Sequence, residues 1–111
     1  EVVWVPGAFE LPLVVDRAVA SGRYRLAVAL GAVIRGETAH FDYVAGTAAT
    51  GLEAVARQRG IPVGFGVLTC DTDAQALARA GGSEGNKGAD AARAALEMRQ
   101  VLDRLDDGAS A

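Results

Sequence analysis

The sequence predicts an α/β fold, a three-layer α-β-α sandwich built on a parallel sheet. Three observations carry that expectation. Apolar runs fall at residues 2–5, 26–30 and 63–68, the pattern of strands covered on both faces. Each run is followed by a segment whose apolar residues recur at helical spacing, and strands alternating with helices in this way build parallel sheets. Half of the residues are hydrophobic but only 5% are aromatic, with 23 Ala and 14 Gly, so helices and sheet must pack through small side chains.

The first strand is expected over residues 1–5, Glu1-Val2-Val3-Trp4-Val5, closed by Pro6-Gly7. Residues 9–20 follow as a helix, with Leu11, Val14, Val15, Ala18 and Val19 at helical spacing, Pro12 in the first turn and Ser21-Gly22 as the stop. A second strand is read over residues 25–31, ended by Gly31. From Phe41 the apolar positions Val44, Ala45, Ala48, Leu52, Val55 and Ala56 make one helical face, which Gly60 terminates. Residues 63–69 form the third strand, and Gly64 and Gly66 imply close approach of a ligand or another backbone. Asp71-Thr72-Asp73 caps a short helix running through Ala80. Residues 81–88 read as a flexible functional loop. Ala91, Ala95, Met98, Leu102 and Leu105 mark the stripe of a long last helix, and residues 106–111 are expected to fray.

With 111 residues the chain is expected to be a single domain. At that size roughly two-thirds of the unfolded surface is buried, which favours an oligomer over a lone subunit. The 14 Asp and Glu against 11 Lys and Arg leave no basic stripe, which argues against nucleic acid as a partner. No apolar stretch approaches the roughly 20 residues that cross a bilayer, so no membrane is expected either. Cys70 is the sole cysteine and lacks the spacing of a zinc site, so no metal is expected and a reducing cytoplasm suits the chain.

In an open parallel sheet, ligands bind beyond the carboxyl ends of the strands. The segments that can carry a site are therefore residues 6–10, 32–40 and 69–73. The second carries Gly36, Thr38 and the only histidine, His40, where a helix begins, and helix N-termini suit anions. His40 can act as a general acid or base near neutral pH. On spacing alone, a cap by Thr38 and a solvent-facing histidine account for the segment as well. Glu10 could orient a polyol, and the helix dipole equally explains an acid there. Arg79 and Lys87 could bind an anion or be solvated charges at helix ends. Phe9 and Phe65 could stack on a planar ligand or fill the core.

Taken together, Val5-Pro6-Gly7-Ala8-Phe9-Glu10-Leu11-Pro12, the stretch from Leu30-Gly31-Ala32 through Arg35-Gly36-Glu37-Thr38-Ala39-His40-Phe41-Asp42-Tyr43-Val44, Phe65-Gly66-Val67-Leu68-Thr69, Arg79-Ala80-Gly81 and Gly85-Asn86-Lys87-Gly88 closely resemble the lumazine synthase family. The resemblance implies its flavodoxin-like fold and the penultimate step of riboflavin biosynthesis. That transferase reaction joins 5-amino-6-(D-ribitylamino)uracil and 3,4-dihydroxy-2-butanone 4-phosphate without metal or redox cofactor. It implies that Ala8, Phe9 and Glu10 hold the ribityl chain and part of the pyrimidine, that Ala32, Val33 and Ile34 offer backbone groups to it, and that Phe65 lines the same pocket. It matches Glu37 and Thr38 to the phosphate loop, Arg79 to a phosphate ligand delivered by a neighbouring subunit, His40 to the proton donor and Lys87 to a loop approaching the site. It also implies a homopentamer, in some members packed into an icosahedral capsid.

Family members carry a strand, a helix and a stacking aromatic ahead of the Val-Pro-Gly segment. The domain, residues 1–111, is accordingly expected to be N-terminally incomplete relative to the family, with exposed apolar sheet edges. A shell or scaffold subunit of the same fold without turnover is the rival reading, and the archaeal type of riboflavin synthase a third.

Overall fold

A computed structural model describes residues 1–108. A short 3-10 turn, Ala8–Glu10, leads into α1 (Leu11–Ala20), with Pro12 in the first turn, where its missing N–H costs nothing. Leu11, Val15 and Val19, spaced by four, form the buried face of α1. Two parallel strands, β1 (Ala27–Ile34) and β2 (Val63–Cys70), pair along their whole length, from Ala27 beside Val63 to Ile34 beside Cys70. Between them runs α2 (His40–Arg59), which Gly60 ends in the left-handed region (φ 66°), its N–H returning to Ala56 O.

The strand alternation sorts the layers. Ala29, Val33 and Val67 face α1 and α2 and join Leu11, Val15, Val19, Leu52 and Val55 in one core. Residues of the opposite parity, Gly64 and Gly66, face α4 (Lys87–Asp106), which buries Ala91 and Ala95 against them. A Cβ on Gly64 would collide with Ala91 O and stand 3.0 Å from its carbonyl carbon, so only glycine lets this helix lie so close. Helices on both faces of a parallel sheet make the expected three layers.

Ion pairs fasten the helices at their ends. Arg59 grips Asp16 through two bonds of 2.8 and 3.2 Å, joining α2 to α1, and this hydrogen bonding holds the Asp16 carboxyl below its usual range. Arg25 donates to Asp103 at 2.6 Å and Arg99 donates to the Arg25 carbonyl at 2.8 Å, which ties the last helix to the approach of β1. The Arg25 bond, helped by Arg99, keeps Asp103 below its usual range as well.

Four sequence expectations need correction. Residues 1–5 form no strand: Val2, Val3 and Trp4 are 78%, 59% and 90% exposed, and only Val5 packs on the core. A strand exists through a hydrogen-bonded neighbour, and among the described residues none lies beside this segment, so the parallel sheet has two strands rather than three. The next strand is not ended by Gly31 but runs on to Ile34, because β2 offers partners throughout, and Gly31 makes room for Leu11, whose Cδ1 lies 3.8 Å from where a Cβ would be. The short helix α3 (Asp73–Arg79) stops one residue early because Ala80 opens a strand. Finally, residues 81–88 are not a loose loop. They hold a hairpin of β3 (Ala80–Gly82) and β4 (Gly85–Asn86), made possible by Gly81 and Gly85 at φ 108° and 89°, and Lys87 already begins α4.

The capping of α3 is as expected: Thr72 Oγ1 accepts the Gln75 N–H at 3.1 Å and the Gln75 side chain returns to the Thr72 N–H. At the end of the chain Asp106 is still helical and Asp107 and Gly108 turn. The fraying expected of residues 109–111 lies outside the described residues. Cys70 is buried. No helix among the described residues is long and apolar enough to cross a membrane.

Candidate active site

The carboxyl ends of β1 and β2 lie side by side, and the segments that leave the two strands meet there. The Arg35 N–H donates to Cys70 O at 2.8 Å, extending the pairing one step past Ile34. Glu37, Thr38 and His40, at the start of α2, are exposed. Thr38 Oγ1 accepts the His40 N–H at 3.4 Å, while the formal cap, Ala39, supplies no side-chain bond. Single-chain geometry thus includes the plainer features that spacing allows, a weak Thr38 cap and a solvent-facing histidine. It also leaves both side chains accessible to a ligand at the positive end of a 20-residue helix.

Ala32, Val33 and Ile34 are strand residues, not a loop, so the backbone groups assigned to the pyrimidine belong to the rigid end of β1. The Ala8–Glu10 turn packs against α2 and β1. Phe9 is 60% exposed. Glu10 is half-buried, and its Oε2 is shielded from solvent with no hydrogen-bond partner among the described residues. A buried carboxylate oxygen left bare costs stability, and a hydroxyl donor from a ligand would satisfy it.

A second group of expected residues meets elsewhere on the chain. Phe65, Gly66, Val67, Leu68, Thr69 and Cys70 form one wall of a cavity of about 240 Å³, and Arg79 and Lys87 complete its lining. The hairpin brings the two cations together: Ala80 pairs with Asn86, so Arg79 and Lys87, the residues just outside that pair, end one helix and begin the next side by side. Asn86 Oδ1 accepts the Ala89 N–H at 2.9 Å and thereby fixes where Lys87 enters its helix. Arg79 donates to Gln75 O at 3.0 Å, and neither cation has a carboxylate within ion-pair distance among the described residues. A cavity with an aromatic ring, a hydroxyl and two unneutralised cations suits a phosphate ester or another anion.

The structure therefore gathers only some of the expected residues into one cavity. Phe65 lies with Arg79 and Lys87, not in one cavity with Ala8, Phe9 and Glu10, and His40, Glu37 and Thr38 stand outside that cavity too. Sequence reasoning gives Thr69, the last residue of the Phe65–Thr69 motif, no site role, and reads Asp71 only as part of the cap of α3. Asp71 proves to be the partner of Arg35, whose Nε lies 2.9 Å from its Oδ1.

A sequence model of the 6,7-dimethyl-8-ribityllumazine synthase family matches residues 1–103, which reaches from the first residue to within a turn of the end of α4. The chain belongs to this family. Its enzymes work in riboflavin biosynthesis, and the α/β architecture with a parallel sheet and flanking helices is the fold such membership calls for.

Proposed function

We propose that the chain is a lumazine synthase, a transferase that condenses 5-amino-6-(D-ribitylamino)uracil with 3,4-dihydroxy-2-butanone 4-phosphate to 6,7-dimethyl-8-ribityllumazine, phosphate and water. The observation that carries this reading is the cavity lined by Phe65, Arg79 and Lys87, the two cations without a carboxylate partner among the described residues, in a chain of this family. An aromatic ring can cover a flat heterocycle while the cations hold the phosphate of its co-substrate. The bare Glu10 oxygen supports the other half of the site, since the ribityl chain is a row of hydroxyl donors.

Phe65, Arg79 and Lys87 share no cavity with Glu10 or His40 on one subunit, which supports a site completed between adjacent copies. Ala8, Phe9, Glu10, the end of β1 and the loop of Glu37, Thr38 and His40 come from one, Phe65, Arg79 and Lys87 from the next. A closed ring such as a pentamer supplies that juxtaposition, and each protomer enters it as one domain acting in the cytoplasm. The amine of the pyrimidine attacks the ketone carbon, and the carbinolamine loses water to give an imine. Proton loss from the butanone chain expels the phosphate, and attack by the second nitrogen with loss of another water closes the ring. Holding two substrates in contact is the largest contribution the protein makes. His40 relays protons at the carbonyl oxygen, and the two cations stabilise the departing phosphate.

Glu10→Gln tests the half of the site that binds the polyol. It replaces a charged acceptor by a neutral amide and is expected to raise the KM for the ribitylaminouracil about tenfold, leaving that for the butanone phosphate within about twofold. Steady-state kinetics with each substrate varied in turn reads this directly. Equal changes in both constants would remove Glu10 from the polyol site.

A further inference from the structure

We propose that Arg35 is a positioning residue, a clasp that closes the loop of residues 36–40 and so holds Thr38 and His40 in place. The proposal rests on the lumazine synthase reading for its kinetic consequences, though not for its structural ones. Arg35 stands where the loop leaves β1, and its single side chain touches both the end of β2 and the start of α2. Its Nε donates to Asp71 Oδ1 at 2.9 Å, its Nη2 lies 3.8 Å from Asp42 Oδ1, and its guanidinium carbon sits 4.5 Å from the centre of the Phe41 ring. Phe41 and Asp42 come directly after His40, so the loop between is fastened at both ends by one planar group.

Little else holds the loop. Residues 36–40 are all exposed, nothing lies within 4 Å of where a Cβ on Gly36 would be, and the His40 to Thr38 contact is long at 3.4 Å. The anchor, by contrast, is built. Asp71 stands between β2 and the capping box of α3, and its own N–H donates to Gln75 Oε1 at 2.8 Å. The chain Gln75, Asp71, Arg35, Phe41 therefore runs from the helix that ends in Arg79 to the turn that presents His40. Arg35 is not itself a phosphate ligand, because Asp71 and Asp42 already oppose its charge. Arg79 and Lys87, by contrast, line the cavity with no carboxylate in ion-pair distance among the described residues.

Arg35→Ala and Asp71→Asn distinguish a clasp from a ligand by the sign of the second effect. Removing the Asp71 charge from a phosphate-binding arginine would tighten phosphate binding, whereas removing it from a clasp loosens the loop. Both variants are expected to raise the KM for the butanone phosphate about five- to tenfold, with that for the pyrimidine within about twofold, and the double variant should be no worse than the poorer single one. Tighter binding in Asp71→Asn, parallel rises in both constants, or multiplied effects in the double variant would overturn the clasp. Hydrogen exchange of the Asp42 and Tyr43 amides, both bonded to Ala39 O in the first turn of α2, reads the same clasp without turnover. Severalfold faster exchange in both variants supports it and unchanged exchange overturns it, even if the unaltered protein makes no lumazine.

Discussion

Arg79→Ala is expected to raise the KM for the butanone phosphate about a hundredfold, while His40→Ala leaves it within about threefold and lowers kcat by about a hundredfold instead. The split reflects where the two side chains stand. Arg79 lines the cavity with Lys87, no carboxylate among the described residues neutralises it, and the donors not used on Gln75 O are available to phosphate oxygens. Charge-assisted bonds contribute about 1.5–3 kcal/mol each, and Lys87 would retain part of the attraction after truncation. His40 opens α2 as an exposed imidazole and lies outside that cavity. In the proposed reaction its contribution is proton transfer, and the reaction would proceed without it at the rate that juxtaposed substrates allow. Separate KM and kcat values for both variants check the assignment, and equal or reversed effects on the phosphate KM would contradict it.

Gly64→Ala carries the largest expected effect on stability, a loss of about 3 kcal/mol, at the upper end of what overpacking costs. The new methyl would meet the Ala91 carbonyl, which belongs to helix backbone and cannot rotate away. Gly66→Ala is the internal control. Its methyl would press mainly on Leu30 Cδ2 at 2.6 Å, the mobile tip of a side chain, so a smaller loss is expected. Since a domain of this length has only about 5–15 kcal/mol in hand, the Gly64 change should be plain in a urea titration. It has a functional side too: α4 begins at Lys87, so lifting the helix off β2 also moves one of the two cavity cations.

What could be read from the sequence was local. The apolar runs at residues 26–30 and 63–68, the stop at Gly60 and the Thr72 cap each depend on chemistry within a few residues; both runs lie in strands, the first with shifted ends at Ala27 and Ile34, and the stop and the cap stand as expected. Residues 2–5 carry an equally good strand signal, but β-branched composition says nothing about whether a neighbour is present to accept the hydrogen bonds. Gly31 reads as a breaker because its reason for being glycine is Leu11, distant in the chain and adjacent in space. The site divides in the same way. The motifs name Glu10, His40, Phe65, Arg79 and Lys87, yet the meeting of Arg79 with Lys87 depends on the hairpin pairing of Ala80 with Asn86. The Arg35 to Asp71 contact depends likewise on the register that sets Ile34 beside Cys70. Pairing between segments, across a hairpin or across the sheet, is a fact that single-residue chemistry does not encode.

The proposal that this chain is a working lumazine synthase meets its most direct test when the purified protein is given both substrates and the products are counted. Mass spectrometry of the heterocycle and an assay of inorganic phosphate, run on the same sample, should show 6,7-dimethyl-8-ribityllumazine and phosphate appearing in equal amounts. Phosphate release without the lumazine, or no product at all from protein that is folded and assembled, would contradict it and leave the family fold serving another purpose.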